Sequence, residues 1–169
     1  MSTANHRGCN RTRVYLAAPL FSEAEQTFNL RVTELLEEFT QVYLPQRDGG
    51  LMSEMVAGGV PSGIAARRVF RRDIDAIRQV DCVITILDGR TIDEGVAFEL
   101  GVAFSETKRC VGLQTDSRRL AMWGNNPMIT GALETVFMSI DDLMEWVKTS
   151  VLENGATSWK DWKLTTACT

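Results

Sequence analysis

The stretch DCVITILD, residues 81–88, constrains the fold more than any other part of the chain. Between its two aspartates run five apolar side chains and one threonine, with no polar alternation. Such a strand is apolar on both faces, so both faces must be covered, as in a parallel sheet held between two helical layers. The rest of the chain supplies matching parts. RVYLAA (13–18), QVYL (41–44, stopped by Pro45), CVGLQTD (110–116) and TVFMS (135–139) are further short β-rich runs. Helical patterns lie between them. Residues 22–39 carry Phe28, Val32, Leu35, Leu36 and Phe39 at helical spacing, with Ser22 as N-cap and Glu23 in the first turn. Further helices are predicted over 64–79, from about Glu94 onward, and over 140–154. The segment QRDGGLMSEMVAGGVPSG (46–63) is glycine-rich and reads as a mobile loop with room for one helical turn. The βαβα order predicts an α/β fold with a five-stranded, mostly parallel sheet and a ligand crevice at the carboxyl ends of the strands.

At 169 residues the chain is expected to form one domain over 13–154, burying roughly two-thirds of its unfolded surface. Residues 1–12 are expected to be disordered, and the tail 155–169 carries Trp159 and Trp162, which suit docking. A net charge of −4 without a block of lysine or arginine argues against a nucleic-acid partner. ARRVFRRD (66–73) spaces two arginine pairs along a predicted helix and reads as a solvated or subunit-contact face. No apolar run approaches the ~18–20 residues of a membrane helix, and the N-terminus lacks the apolar core of a secretory signal, so no membrane partner and a cytoplasmic location are expected. Cys9, Cys82, Cys110 and Cys168 are scattered without a CxxC pair, and His6 is the single histidine. A reduced protein without a metal or other cofactor is therefore expected, and a mechanism built on Ser-His-Asp or Cys-His is disfavoured.

The first strand-to-helix turn contains neither GxGxxG nor GxxxxGKS, so no dinucleotide or triphosphate is cradled there in the usual way. Acid dominates instead. Asp48, Asp88, Asp93 and Glu94 follow strands, and Asp73, Asp75 and Glu99 stand on helices that can join them. Pro19, Leu20 and Phe21 follow the first strand, which itself contains Tyr15. Carboxylates beside a tyrosine suit chemistry at a sugar carbon: one captures or stabilises an oxocarbenium-like centre, and a second, its pKa raised by its neighbours, protonates the departing group. Asp93 also fits the N-cap of the helix after it. Glu99 is the odd residue of an otherwise apolar helix, with Gly95, Val96, Val102 and Ala103 at helical spacing around it. Pattern alone favours placing it on a solvent stripe.

Three blocks change that weighting. VYLAAPLFSEAE, RRDIDAIRQVDCVITILDGRTIDEGVAFELGVAFS and NNPMI, in this order, resemble the nucleoside 2-deoxyribosyltransferase family over roughly residues 14–147. The D-x-G-x-A-x-E-x-G pattern falls on Asp93, Gly95, Ala97, Glu99 and Gly101. The resemblance implies a flavodoxin-like (Rossmann-like) three-layer sandwich. It implies transfer of 2-deoxyribose between nucleobases, with retention, through a covalent deoxyribosyl-enzyme. By motif position Glu99 is the implied nucleophile and Tyr15 the tyrosine that holds it. Asp73 matches the aspartate that contacts and protonates the base, and Asp93 the one that binds the 5′-hydroxyl. Asn126, with Asn125 beside it, resembles an asparagine donated by a neighbouring subunit. Gln46, Arg47 and Asp48 are candidates for base or sugar contacts, with Pro19, Phe21 and Gly95 lining the cleft. The implied partners are 2′-deoxynucleosides, free nucleobases and further copies of the chain, in a dimer-based homo-oligomer extending to a tetramer or hexamer.

The chain departs from the family's shorter members, which end in a carboxylate near the site, by continuing through Thr169. Two other functions fit the same residues. One is hydrolysis of 2′-deoxynucleoside 5′-monophosphates or of nucleosides; Asp93 would repel a phosphate, whereas Arg47 and Arg90 leave it room. The other is a non-catalytic nucleoside sensor, which would have no need of a nucleophile at Glu99. Nothing in 46–63 distinguishes a purine from a pyrimidine.

Overall fold

In the computed structural model, residues 11–118 and 124–153 are described, the last three by their backbone alone. Five parallel strands form one sheet: β1 (Arg13–Ala17), β2 (Gln41–Tyr43), β3 (Cys82–Ile86), β4 (Arg109–Leu113) and β5 (Thr135–Phe137), in the order β2-β1-β3-β4-β5. The helices are α1 (Glu23–Glu37), α2 (Met52–Ala57), α3 (Ser62–Gln79), α4 (Glu94–Ser105), α5 (Pro127–Thr130) and α6 (Ile140–Glu153). The continuous apolar run does what its composition requires, since every residue of β3 is buried.

Side chains alternate across the sheet and build two cores. Val14, Leu16, Ile84, Ile86, Val111 and Leu113 pack on Val32 and Leu36 of α1 and Leu143 and Val147 of α6. On the other face Tyr15, Ala17 and Val83 pack on Ile77 of α3 and Val96, Leu100 and Ala103 of α4. Strand order reverses between β1 and β3, because the chain first moves outward to β2 and then returns. The ends of β1 and β3 therefore flank the crevice where such folds bind ligands. Gly112 in β4 lies where a Cβ would meet Leu87 Cδ1 at 2.7 Å, so the close approach of neighbouring side chains requires glycine there.

Local signals agree with most of the predicted boundaries. Ser22 caps α1 through a full capping box: its Oγ accepts from Glu25 N, and Glu25 Oε2 accepts from Ser22 N at 2.8 Å. The segment 46–63 is more ordered than its glycines suggested. Pro45–Gly49 forms one π turn, α2 adds a six-residue helix, and α3 begins at Ser62 rather than at 64. Glycine sits at the ends of these pieces, at Gly50, Gly58 and Gly59, where it ends short helices without preventing them. The strand predicted over 110–116 ends at Leu113. Beyond it Asp88 holds the chain, accepting from the backbone N–H of Thr115 and Asp116. The predicted disordered segment 1–12 lies almost entirely outside the described residues, as do the tail 155–169, Cys9 and Cys168. Cys82 and Cys110 are both buried, and burial pushes the Cys82 thiol up. Among the described residues no helix is long and apolar enough to cross a membrane.

Candidate active site

Tyr15 lies in β1 on the face covered by α3 and α4, and its hydroxyl donates to Glu99 Oε1 at 2.6 Å. Glu99 projects from the second turn of α4, toward the sheet rather than into solvent. Burial raises its pKa to about 8; the Tyr15 hydrogen bond opposes that rise, and the charges of Asp73 and Asp93 add to it. Burial also drives the Tyr15 phenol well above its ordinary range, with Glu99 and Asp73 reinforcing the shift, so Tyr15 stays protonated and remains a donor.

Asp73 reaches the same region from α3. Burial lifts its carboxyl above the ordinary range, against the opposing effects of Tyr43 and Arg72. Tyr43 Oη donates to Asp73 Oδ1 at 3.3 Å, and its ring stacks on Tyr15 with centroids 5.4 Å apart. Sequence reasoning missed Tyr43. The signal was the repeated Val-Tyr of RVYLAA and QVYL, which parallel pairing brings into register as Tyr15 opposite Tyr43.

Asp93 is the N-cap of α4, its Oδ1 accepting from Gly95 N at 2.9 Å and Val96 N at 3.0 Å. Both bonds use Oδ1. Gly95 serves the same cap, and a Cβ there would come within 3.1 Å of Asp93 Oδ1. Tyr15, Glu99, Asp73 and Asp93 are thus brought together, and Tyr43 joins them.

The other candidates fall elsewhere. Gln46 is a bracket: its Oε1 accepts from Asn29 Nδ2, its Nε2 donates to Gln26 O, and Asn29 Nδ2 also donates to Pro19 O. Pro19 is thereby anchored at the end of β1, while Phe21 stands 79% exposed. Asp48 is occupied by the Arg47 guanidinium and by Leu44 N, which outweigh burial and hold its carboxyl low. Asp88 has its structural role beyond β4, and Asp75 is exposed beside Arg78. These three acids, expected in the cleft, serve the scaffold or the surface. Asn125 exchanges hydrogen bonds with Gln114, whereas Asn126 is exposed at the N-cap of α5, two residues before Met128, which is 81% exposed. A cavity of about 550 Å³ separates this turn from Arg90 and Thr91. Among the described residues no group of acidic, cysteine or histidine side chains is placed to hold a metal ion.

Paired carboxylates, one hydrogen-bonded to a tyrosine, at the switch point of a 2-1-3-4-5 parallel sheet define a flavodoxin-like α/β protein with a site suited to glycosidic chemistry. The family model described as nucleoside 2-deoxyribosyltransferase matches residues 14–152, and the chain belongs to that family. None of the curated proteins compared with the chain matches it. Solved structures do. A conserved protein from Enterococcus faecalis V583 is 27% identical with a TM-score of 0.64, covering 83% of this chain and 99% of its own. A 2-deoxyribosyltransferase from Bacillus psychrosaccharolyticus is 22% identical with a TM-score of 0.68, covering 83% and 96%. The CMP N-glycosidase BcmB of Clostridium botulinum is 17% identical with a TM-score of 0.52, covering 81% and 99%. The last two likenesses are of fold.

Proposed function

We propose that the protein transfers 2-deoxyribose from one nucleobase to another with retention of configuration. The observation that carries this is the Glu99–Tyr15 pair at 2.6 Å, partly buried beside two further carboxylates. In the first step a Glu99 carboxylate oxygen bonds to the anomeric carbon as the bond to the base nitrogen breaks. The bonding pair leaves on the base, and the Asp73 carboxyl gives the base a proton. In the second step the nitrogen of an incoming base attacks the same carbon. Glu99 departs as a carboxylate, and the proton of the incoming base passes to Asp73. Two inversions give retention. Tyr15 orients the nucleophile, and Asp93, with Oδ2 left over from its cap, accepts from the sugar's 5′-hydroxyl. Pro19, Phe21 and Gly95 lie around the cleft, and Gln46 acts by holding its wall. Asn126 is assigned to the site of a neighbouring subunit in a homo-oligomer, which its exposed position supports.

The runner-up is hydrolysis, in which water replaces the incoming base; the fold likeness to a CMP N-glycosidase is compatible with it. Asp93 favours a free nucleoside, because its charge opposes a 5′-phosphate. Base exchange separates the two. Incubation with 2′-deoxyinosine plus adenine, and with thymidine plus cytosine, is expected to yield an exchanged nucleoside from at least one pair. Free base and deoxyribose alone would replace transfer with hydrolysis. Glu99→Ala is expected to lower turnover at least a thousandfold, about 4 kcal/mol of transition-state stabilisation. Retained activity in that variant would exclude Glu99 as nucleophile.

A further inference from the structure

Three of the four arginines of ARRVFRRD, Arg68, Arg71 and Arg72, line a cavity that the chemistry above does not use. It measures about 780 Å³ and runs between α3 and the outer edge of β2. Arg68, Arg71 and Arg72 stand on one stripe of α3 facing it, and Arg13 and Arg47 close it from β1 and from the turn after β2. Three carboxylates, Glu37, Asp48 and Asp75, share the lining, so the cavity keeps an excess of two positive charges.

The distribution of partners matters more than the count. Arg47 is committed to Glu37, Asp48 and Val42 O, and Arg13 to Asp81. Arg72 donates to Gly49 O at 2.6 Å; Gly50, at φ +75°, lies where a Cβ would come within 2.7 Å of the same Nη1. Among the described residues Arg68 and Arg71 have no ion pair or hydrogen bond, although Asp75 lies one turn away on the same helix face. The guanidiniums of Arg68 and Arg71, both in the cavity lining, offer forked donors to a ligand bearing several negative oxygens. The cavity floor is apolar, with Val42, Ala76 and Val80 beneath the arginines. Its volume is that of a site for a small organic ligand, far larger than a single phosphate requires.

We infer that this groove is a binding site for the polyphosphate of a nucleotide, with Arg68 and Arg71 on the phosphates and the Val42–Val80 floor under the nucleoside. It is distinct from the carboxylate site, since none of Tyr15, Asp73, Asp93 or Glu99 lines it, although Tyr43 and Arg72, which do, also act on Asp73. An acidic phosphate group has no reason to enter the carboxylate cleft and good reason to enter the arginine groove.

Calorimetric titration of the full-length protein tests this, with a nucleoside triphosphate, inorganic triphosphate and the free nucleoside as separate ligands. The triphosphate nucleotide is expected to bind with an affinity that falls as salt rises, inorganic triphosphate more weakly, and the nucleoside not at the groove. Each of Arg68→Ala and Arg71→Ala should weaken nucleotide binding roughly tenfold, the loss typical of a charge-assisted hydrogen bond. Saturating 2′-deoxyinosine should leave nucleotide binding unchanged, because the cleft and the groove are different places. The inference fails if the nucleotide does not bind, if both arginine variants bind it normally, or if deoxyinosine displaces it. Equal affinity for inorganic triphosphate would overturn the nucleotide assignment.

Discussion

Glu99 and Asp73 are best treated as one titrating unit, because burial raises both and the charge of Asp73 adds to the rise on Glu99. Transfer needs the pair to hold one proton, with Glu99 ionised to attack and Asp73 protonated to deliver. The upper step of the pair lies near the value of about 8 on Glu99, above which the last proton is lost. The pH profile of kcat/KM is therefore expected to be bell-shaped, with its alkaline limb near pH 8 and its acid limb where the pair takes up a second proton. Asp73→Asn removes the acid while leaving a group that can accept from Tyr43. Its residual activity should be lower and should rise with pH through Glu99's own ionisation, with no alkaline limb up to the pH at which the protein unfolds. A wild-type rate that climbs steadily past pH 9 would show that a proton on Asp73 is not needed. Tyr15→Phe removes a bond that lowers the Glu99 pKa, so the alkaline limb should move upward.

At the scale of elements, α4 carries both a structural and a proposed chemical duty at its first residue boundary. Asp93 satisfies two N–H groups there, and losing such a cap costs about 1 kcal/mol. Asp93→Ser retains a capping oxygen, so its stability should stay within about 0.5 kcal/mol of wild type while Asp93→Ala falls by about 1 kcal/mol. Both should lose activity on free nucleosides if the carboxylate binds the 5′-hydroxyl. Thermal melts beside exchange rates would separate cap from ligand, and activity that merely followed stability would reduce Asp93 to a cap. The other end of α4 stores strain. Thr107, a β-branched residue, sits at φ 58°, just past the C-cap Glu106, in a region where glycine is at ease. Thr107→Gly should raise stability by about 1 kcal/mol, read as a higher Tm, because the left-handed penalty exceeds the entropy that glycine adds to the unfolded chain.

Across the whole molecule, legibility in the sequence followed the range of the forces involved. The apolar run of β3, the helical spacing of α1 and the caps at Ser22 and Asp93 depend on neighbours a few residues away, and they were readable. The helices within 46–63 and the four-residue α5 depend on packing that no short window contains, so glycine content misled in one case and brevity hid the other. The Tyr15–Glu99 bond joins residues 84 positions apart, and only the resemblance of three separate blocks anticipated it. Pattern alone had favoured a solvent-facing Glu99, because a helix period cannot tell a ligand-facing carboxylate from a solvated one. The same limit applies to Asn126, whose exposure is uninformative within one chain but has a meaning if subunits share sites. A complementation experiment tests that meaning. Glu99→Ala and Asn126→Ala subunits would each be inactive or weak alone. Mixed in equal amounts, unfolded together and refolded as dimers, half of the molecules pair unlike subunits. Each of these contains one site with Glu99 from one chain and Asn126 from the other, so roughly a quarter of wild-type activity should return. If Asn126 served only its own chain's site, no pairing would place the two intact residues together, and mixing would restore nothing. Recovery near a quarter would establish both the shared site and the oligomer, whereas activity equal to the mean of the two parents would confine each site to one subunit.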